Sequence, residues 1–386
     1  MKNADLTVVD LFCGVGGFSE GAVVSPKYAF RVIAGVDRDD TLRTAWKLNR
    51  PDSLFLSLNL ASQNLNEVWN STKKLGIEAG SFDVLVASPP CQKLSAAGKR
   101  DPSDPTNSLY VSVIRAVERW KPKILLLENV VRFFTASEEG FLQACQRGLR
   151  DAGYISQWAV LNAASYGVPQ FRRRGFLVAV GRESFRGLAL FPSSTHSPQL
   201  IGDQDDSLIG AKQLRPTPNV EDAIGDLPSL QAGEGSEPLI LEEPPSSDFQ
   251  RERRSGGRGE VFNHRAWGHS DEMVTRIESI GEGEAPQHHN VHPVKPRVYF
   301  RQAYARLHRK EPAHTITTNF HNPGSGRFIH YRDHRTLTVR EAARLQTFDD
   351  RFRFIGTQSE TSIQVGNAVP PLMARVLLEH LAELVI

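Results

Sequence analysis

Short apolar runs alternate with stretches of helical spacing along the first part of the chain, and this pattern predicts its elements. Residues 7–12, 31–36, 83–88, 123–128 and 175–180 are β-rich and predict strands. Residues 109–120 and 141–152 carry apolar positions at helical spacing between them. Strands alternating with helices predict an α/β fold, a parallel sheet with helices on both faces. Pro89-Pro90 should end the third of these strands, because proline cannot donate to a ladder. From Gly187 the periodicity lapses, and residues 187–260 are rich in Pro, Gly, Ser and acidic groups, predicting a smaller, irregular, loop-rich domain. Order returns near the C-terminus. Thr338-Val339-Arg340-Glu341 reads as a capping box opening a helix over 339–347. Pro370-Pro371 opens a last helix over 372–384. The expected division is 1–186, 187–325, and a segment 326–386 that returns to the first domain.

Composition narrows the class. Of 386 residues, 40% are hydrophobic and 23% charged, as in soluble globular proteins. No run of apolar residues is long enough to span a bilayer, so no membrane partner is expected. Met1 to Asp5 lack the apolar core of a signal peptide. Cys13, Cys91 and Cys145 are far apart with no CxxC pair, which argues against disulfides and for a reducing, cytoplasmic setting. A net charge of +2 announces no nucleic-acid partner by itself.

Three groups of residues carry candidate chemistry. Gly14, Gly16 and Gly17 follow a strand and precede a helix, where backbone can approach a ligand closely. Ser19 stands where a dinucleotide fingerprint wants its third glycine, which counts against NAD. Asp37 ends the next strand, in place to bind ribose hydroxyls. The second group is Ser88-Pro89-Pro90-Cys91-Gln92. A lone cysteine is usually a small buried hydrophobe, which suits Cys13 and Cys145. It suits Cys91 poorly, since this cysteine follows two stiffening prolines at a strand end, with a Gly/Ser/Pro/Asp-rich loop over 95–107 behind it. The third group is Glu128, ending an apolar strand, with Arg172 and Arg174 on one face of another strand. Singly each reads as a surface ion pair; converging on one crevice edge they form an active-site hypothesis.

In order, these motifs resemble those of the DNA (cytosine-5) methyltransferase family, of the bacterial restriction-modification or Dcm-like type. The resemblance rests on residues 10–17, Ser88–Gln92, Glu128-Asn129-Val130, residues 170–174, residues 335–346 and residues 364–371. It implies a Rossmann-like S-adenosylmethionine-dependent methyltransferase sheet with a separate target-recognition domain. It further implies a monomer acting on duplex DNA, with S-adenosylhomocysteine as product and no metal. A cognate restriction endonuclease would act independently. Phe12 would contact the adenine, Gly14 and Gly17 the methionine part, and Asp37 the ribose. Arg38, Asn59, Leu60, Pro90 and Leu109 would belong to the same cofactor set, and Asn367 and Ala368 would close the pocket. Cys91 would attack carbon 6 of a flipped cytosine. Glu128 would hold nitrogen 3 and the amino group, Arg174 the carbonyl oxygen, and Arg172 would order the site. Gln92 and Ser95 would meet the DNA. Leu94, Asn59 and Asn107 depart from the family pattern, where phenylalanine, aspartate and arginine are common.

The middle of the chain matches no family motif, as a target-recognition domain should. Arg297, Arg301, Arg306 and Arg309 are interleaved with aromatic residues and are expected to contact DNA; Arg251, Arg253, Arg254 and Arg258 form a second basic group. Nine of the twelve histidines lie between His264 and His330, but no carboxylate or cysteine set stands at ligand spacing around His288, His289 and His292, so a metal is not expected.

Overall fold

The structure is a computed structural model, and it describes residues 3–60, 69–71, 73–74, 78–90, 108–135, 141–198, 214–257, 259–286 and 302–386. Cys91, Gln92, Ser95, Asn107, Arg258, Arg297, Arg301 and the histidines at 288, 289 and 292 lie outside the described residues. The chain forms two compact units, Met1–Asn162 with Arg173–Ser193 and Met373–Ile386, and Ala163–Arg172 with Ser194–Leu372. These units do not follow the boundaries expected from composition: residues 326–372 pack in the second unit, and only the last helix, Pro371–Glu383, runs into the first.

The first unit is built on seven strands: β1 (Asn3–Leu11), β2 (Tyr28–Asp37), β3 (Leu54–Ser57), β4 (Val84–Ala87), β5 (Ile124–Asn129), β6 (Tyr154–Asn162) and β7 (Arg173–Gly181). Their order is β3-β2-β1-β4-β5-β7-β6. Helices α1 (Gly17–Val23), α2 (Leu42–Asn49), α3 (Ser108–Trp120), α4 (Val131–Thr135) and α5 (Phe141–Asp151) connect them. Every residue of β4 and β5 is buried, as expected of central strands covered on both faces. Val9, Leu11, Leu85, Ala87, Leu125 and Leu127 share one face, packed under Val113, Val117 and Trp120 of α3, Phe133 and Phe134 of α4 and Leu149 of α5.

The sheet is not wholly parallel. β1 to β5 are parallel, but β7 runs antiparallel to both β5 and β6. Only residues 163–172 link β6 to β7, too short for the helical crossover that a parallel pair requires.

The second unit has little regular structure. Helices α6 (Val220–Ile224), α7 (Asp248–Arg254), α8 (Asp271–Glu278), α9 (Val339–Leu345) and α10 (Gln358–Asn367) are joined by long irregular segments. The capping box is present: Thr338 Oγ1 accepts from the Glu341 amide at 3.1 Å and Glu341 accepts from the Thr338 amide at 2.8 Å. Glu341 is also held by Arg335 through two bonds of 2.8 Å. With so few ladders, many backbone carbonyls need other donors, and buried arginines supply them. Arg340 donates to Phe262, Asp349 and Phe352 carbonyls at 2.8, 3.0 and 2.6 Å.

Among the described residues no helix is long and apolar enough to cross a membrane.

Candidate active site

The chain steps from β1 outward to β2 and β3, then returns to place β4 on the other side of β1. In open α/β sheets the carboxyl ends at such a reversal form the ligand crevice. Leu11, Ala87 and Leu127 are register partners across β1, β4 and β5, so the glycine turn, the Pro89-Pro90 segment and Glu128 leave the sheet at the same edge. Because β7 is antiparallel, its starting end joins them, with Glu128 opposite Phe176 and Asn129 opposite Gly175.

Glu128 is 8% exposed, and its Oε1 lies 3.2 Å from Arg174 Nε. Burial pushes the Arg174 pKa down while the Glu128 carboxylate opposes that shift. The neighbouring Asn129 is fully engaged. Its amide donates to the Pro89 carbonyl at 2.9 Å, and its Oδ1 accepts from the Val130 amide at 2.8 Å. This bond ties the end of β5 to the residue two before Cys91, a connection that the sequence reading of Glu-Asn-Val passed over.

Two of the three cysteines are poor nucleophiles. Cys13 and Cys145 are buried and free. Burial, with Asp10 and Asp37 nearby, pushes the Cys13 thiol well up, and burial takes Cys145 to about 12. A thiol held protonated cannot attack at neutral pH.

At the glycine turn, Phe12 has φ 55°, a left-handed conformation uncommon for a bulky residue and frequent at functional sites. Gly14, also left-handed at φ 53°, faces open space: a Cβ there would meet no atom within 4 Å. Asp37 closes the turn, with Oδ2 accepting from the Gly14 amide at 2.9 Å and Oδ1 from the Asp39 amide at 3.0 Å. Gly17 is buried at the start of α1. Arg38 and Asn59 are exposed, Pro90 is half-buried, and Leu60 and Leu109 are buried. The Leu60 carbonyl accepts from Ser112 of α3 at 2.9 Å.

Beneath the turn, Asp10 is 1% exposed and accepts from Ser19 Oγ at 2.6 Å. Burial raises its pKa to about 7, against the lowering effects of Ser19 and Arg50. The folded protein therefore keeps a proton that the unfolded chain releases near 3.8. Stability from this group is fullest below that pH and is lost as pH rises through about 7. Asp10→Asn, which cannot ionise, should be more stable than the parent at pH 8 by an amount on the order of a few kcal/mol, and should gain far less at pH 4. Thermal unfolding at both pH values checks this; an equal difference at each would refute the buried-proton account.

In the second unit, Arg172 is 3% exposed and donates to the carbonyls of Ile316, Gly366 and Ala368 at 3.0, 3.1 and 3.0 Å. It is an organising residue there, its guanidinium engaged with backbone. Asn367 is exposed at the end of α10, and Ala368 is buried just after it. Gly366 is required by close approach: a Cβ would lie 2.4 to 2.6 Å from the Thr317–Thr318 backbone.

The expectation that Arg306 reaches DNA is corrected. It is 3% exposed and donates to Ile280, Ile277, His330 and Asp333 carbonyls at 2.7, 2.7, 2.7 and 3.0 Å. A guanidinium already satisfied by four carbonyls has no surface to offer a phosphate or a base. Arg253 and Arg254 are likewise turned to structure, Arg253 donating to the Thr347 carbonyl at 2.7 Å and Arg254 to Asp226 at 2.7 Å. His330, Asp333 and Glu341 lie close enough together to suggest a metal group. Both carboxylates are already bonded by Arg335, and burial takes the His330 pKa down to about 4.

The chain is 30% identical to the Type II methyltransferase M.DdeI of Desulfomicrobium norvegicum, over 98% of this chain and 88% of that one. It is 31% identical to the Type II methyltransferase M1.HphI of Haemophilus parahaemolyticus, over 98% and 87%. Its fold resembles the crystal structure of a candidate DNA modification methyltransferase encoded within an E. coli prophage, with TM-score 0.73, 24% identity, and 98% and 99% of the two chains covered. Residues 6–383 match the family described as C-5 cytosine-specific DNA methylase, and the chain belongs to that family of DNA (cytosine-5-)-methyltransferases.

Proposed function

We propose that this enzyme transfers a methyl group from S-adenosylmethionine to carbon 5 of a cytosine rotated out of a specific duplex DNA sequence, through a covalent adduct with Cys91. The observation that carries the reading is the Glu128–Arg174 pair, at 3.2 Å with Glu128 buried and Arg174 half-buried, on the sheet edge where Asn129 grips the Pro89 carbonyl just before Cys91.

The residues at the glycine turn fit the cofactor. The turn faces open space at Gly14, the Phe12 ring is half-buried, and each Asp37 oxygen keeps a lone pair beyond its backbone bond. An aromatic face, a carboxylate and backbone amides suit an adenosine carrying an amino-acid arm. Phe12 and Asp37 would hold the nucleoside, Gly14 and Gly17 the methionine part, with Arg38, Asn59, Leu60, Pro90 and Leu109 around them. Asn367 and Ala368 are proposed for the same cofactor on the family resemblance alone. When bound, S-adenosylmethionine supplies an electrophilic sulfonium methyl.

Carbon 5 of cytosine is a weak nucleophile. Addition of the Cys91 thiolate at carbon 6 makes carbon 5 enamine-like and able to take the methyl. Glu128 hydrogen-bonds nitrogen 3 and the amino group, stabilising charge that develops during addition. Arg174 contacts the carbonyl oxygen of the base and steadies Glu128. Loss of the carbon 5 proton and expulsion of the thiolate then restore the ring. The base must leave the stack, at about a few kcal/mol, which backbone contacts must offset. Gln92, Ser95, Arg297 and Arg301 are proposed for those contacts; Arg306 is not. The enzyme is proposed to act as a cytoplasmic monomer, any cognate endonuclease working independently.

Incubation with labelled S-adenosylmethionine and either duplex DNA or transfer RNA, followed by bisulfite sequencing of DNA from cells expressing the protein, tests the reading. Label in duplex DNA at cytosine carbon 5 within one short sequence is expected. Transfer to RNA alone, or to another atom of the base, would overturn it.

A further inference from the structure

We infer that Arg50, backed by Trp46, is a positioning residue that sets how tightly the glycine turn binds its cofactor; this rests on the S-adenosylmethionine reading above. No motif marks Arg50. It sits just past α2, and its backbone amide closes the helix's last turn by donating to the Trp46 carbonyl at 2.8 Å. Its side chain passes behind the turn, 4% exposed, with Nη2 donating to the Val15 carbonyl at 2.9 Å and the Gly16 carbonyl at 2.7 Å.

Those two bonds brace two consecutive peptide planes, the second together with α1, whose Glu20 amide also donates to the Gly16 carbonyl at 2.8 Å. In a trans peptide the C=O and the following N–H point in opposite directions. With the Gly16 carbonyl drawn to Arg50, the Gly17 amide faces away from it. Asp37 fixes the other end by accepting from the Gly14 amide. The turn is therefore held from in front by a carboxylate and from behind by a guanidinium.

Trp46 holds Arg50 in place. The guanidinium carbon lies 4.4 Å from the indole centroid, and Trp46 is fully buried. Two glycines make room for this stack. A Cβ at Gly16 would lie 2.1 Å from Arg50 Nη2 and 2.8 Å from the indole, and a Cβ at Gly35 of β2 would lie 2.3 Å from the same ring. Gly16 is also left-handed, at φ 92°. Thus a glycine of the turn and a glycine of the adjacent strand are both accounted for by one arginine–tryptophan pair.

A lysine at position 50 keeps the charge but lacks the planar face that stacks on Trp46, so nothing holds its ammonium at the point where Nη2 meets both carbonyls. Arg50→Lys and Arg50→Met should be titrated with S-adenosylhomocysteine by calorimetry, without DNA, alongside the parent and Trp46→Phe. Arg50→Lys is expected to weaken binding roughly tenfold and Arg50→Met roughly a hundredfold, about what losing the support of one and of two charge-assisted hydrogen bonds would give. The KM for S-adenosylmethionine should rise in step, while kcat at saturation stays within about threefold and duplex DNA affinity is unchanged. Parent-like affinity in a folded Arg50→Lys overturns the inference. A fall in kcat and DNA affinity matching the loss of cofactor affinity also overturns it, since that is general damage. If Arg50→Met does not fold, Arg50→Lys decides alone. If the parent itself binds neither S-adenosylhomocysteine nor S-adenosylmethionine, the cofactor reading fails instead, and the inference falls with it.

Discussion

Cys91→Ala should bind duplex DNA and S-adenosylhomocysteine like the parent yet show no methyl transfer, and Cys91→Ser should lose turnover by on the order of a thousandfold or more. A hydroxyl is scarcely ionised at neutral pH, whereas a thiol is a few per cent thiolate even unassisted. The other thiols cannot substitute, because burial holds both Cys13 and Cys145 in the protonated form. A duplex with 5-fluorocytosine at the target separates chemistry from binding. Fluorine cannot leave as the carbon 5 proton does, so the adduct stalls after methyl transfer and survives denaturing electrophoresis. The parent should give this shifted band and Cys91→Ala should not. An adduct that persists in Cys91→Ala, or turnover in Cys91→Ser within tenfold of the parent, would remove Cys91 from the mechanism.

The strands that position this chemistry were legible because each is an apolar run ended by glycine, proline or a carboxylate. Their crevice edge followed from the ends alone: Gly14 and Pro89 stand just beyond the last residue of a central strand, and Glu128 one residue before the end of another. The antiparallel turn-back of β6 and β7 was not legible, since an apolar strand carries no mark of its direction. Only the shortness of residues 163–172 reveals it. β3 and β6 were missed because their burial is partial and irregular.

The arginines were misread for a different reason. In a tract without periodicity, arginines among aromatic residues suggest a nucleic-acid surface. In the folded second unit, Arg306 and Arg253 are instead interior donors, bonded to backbone carbonyls. Sequence shows which side chains can donate, but backbone acceptors are the same at every position, so the partners of a buried arginine cannot be read from residue identity. The motif over 335–346 was recognised as a pattern without its reason. Its arginines neutralise buried carboxylates and fill carbonyl acceptors at the centre of the irregular unit.

That reason has a measurable consequence at Arg344. The guanidinium is 0% exposed. It forms a fork on Asp350, with Nε and Nη2 at 2.6 Å from the two carboxylate oxygens, and Nη1 reaches Asp226 Oδ1 and the Ala223 carbonyl at 2.9 Å each. Asp226 and Asp350 are themselves buried. Arg344→Met fills much of the same volume but leaves both carboxylates without this shared cation; among the described residues Asp226 keeps Arg254, and Asp350 keeps Arg340 at 4.0 Å. Breaking buried pairs in this way costs about 3–5 kcal/mol, because carboxylate charge that Arg254 and Arg340 compensate only in part stays behind. For a unit of this size the unfolding midpoint should fall by roughly 10 °C. The double change to asparagine at Asp226 and Asp350 in the Arg344→Met background should recover much of the loss, since it removes the stranded charges rather than restoring the bond. If Arg344→Met unfolds within about 2 °C of the parent, or if the added asparagines lower stability further, the stranded-charge account of this motif fails.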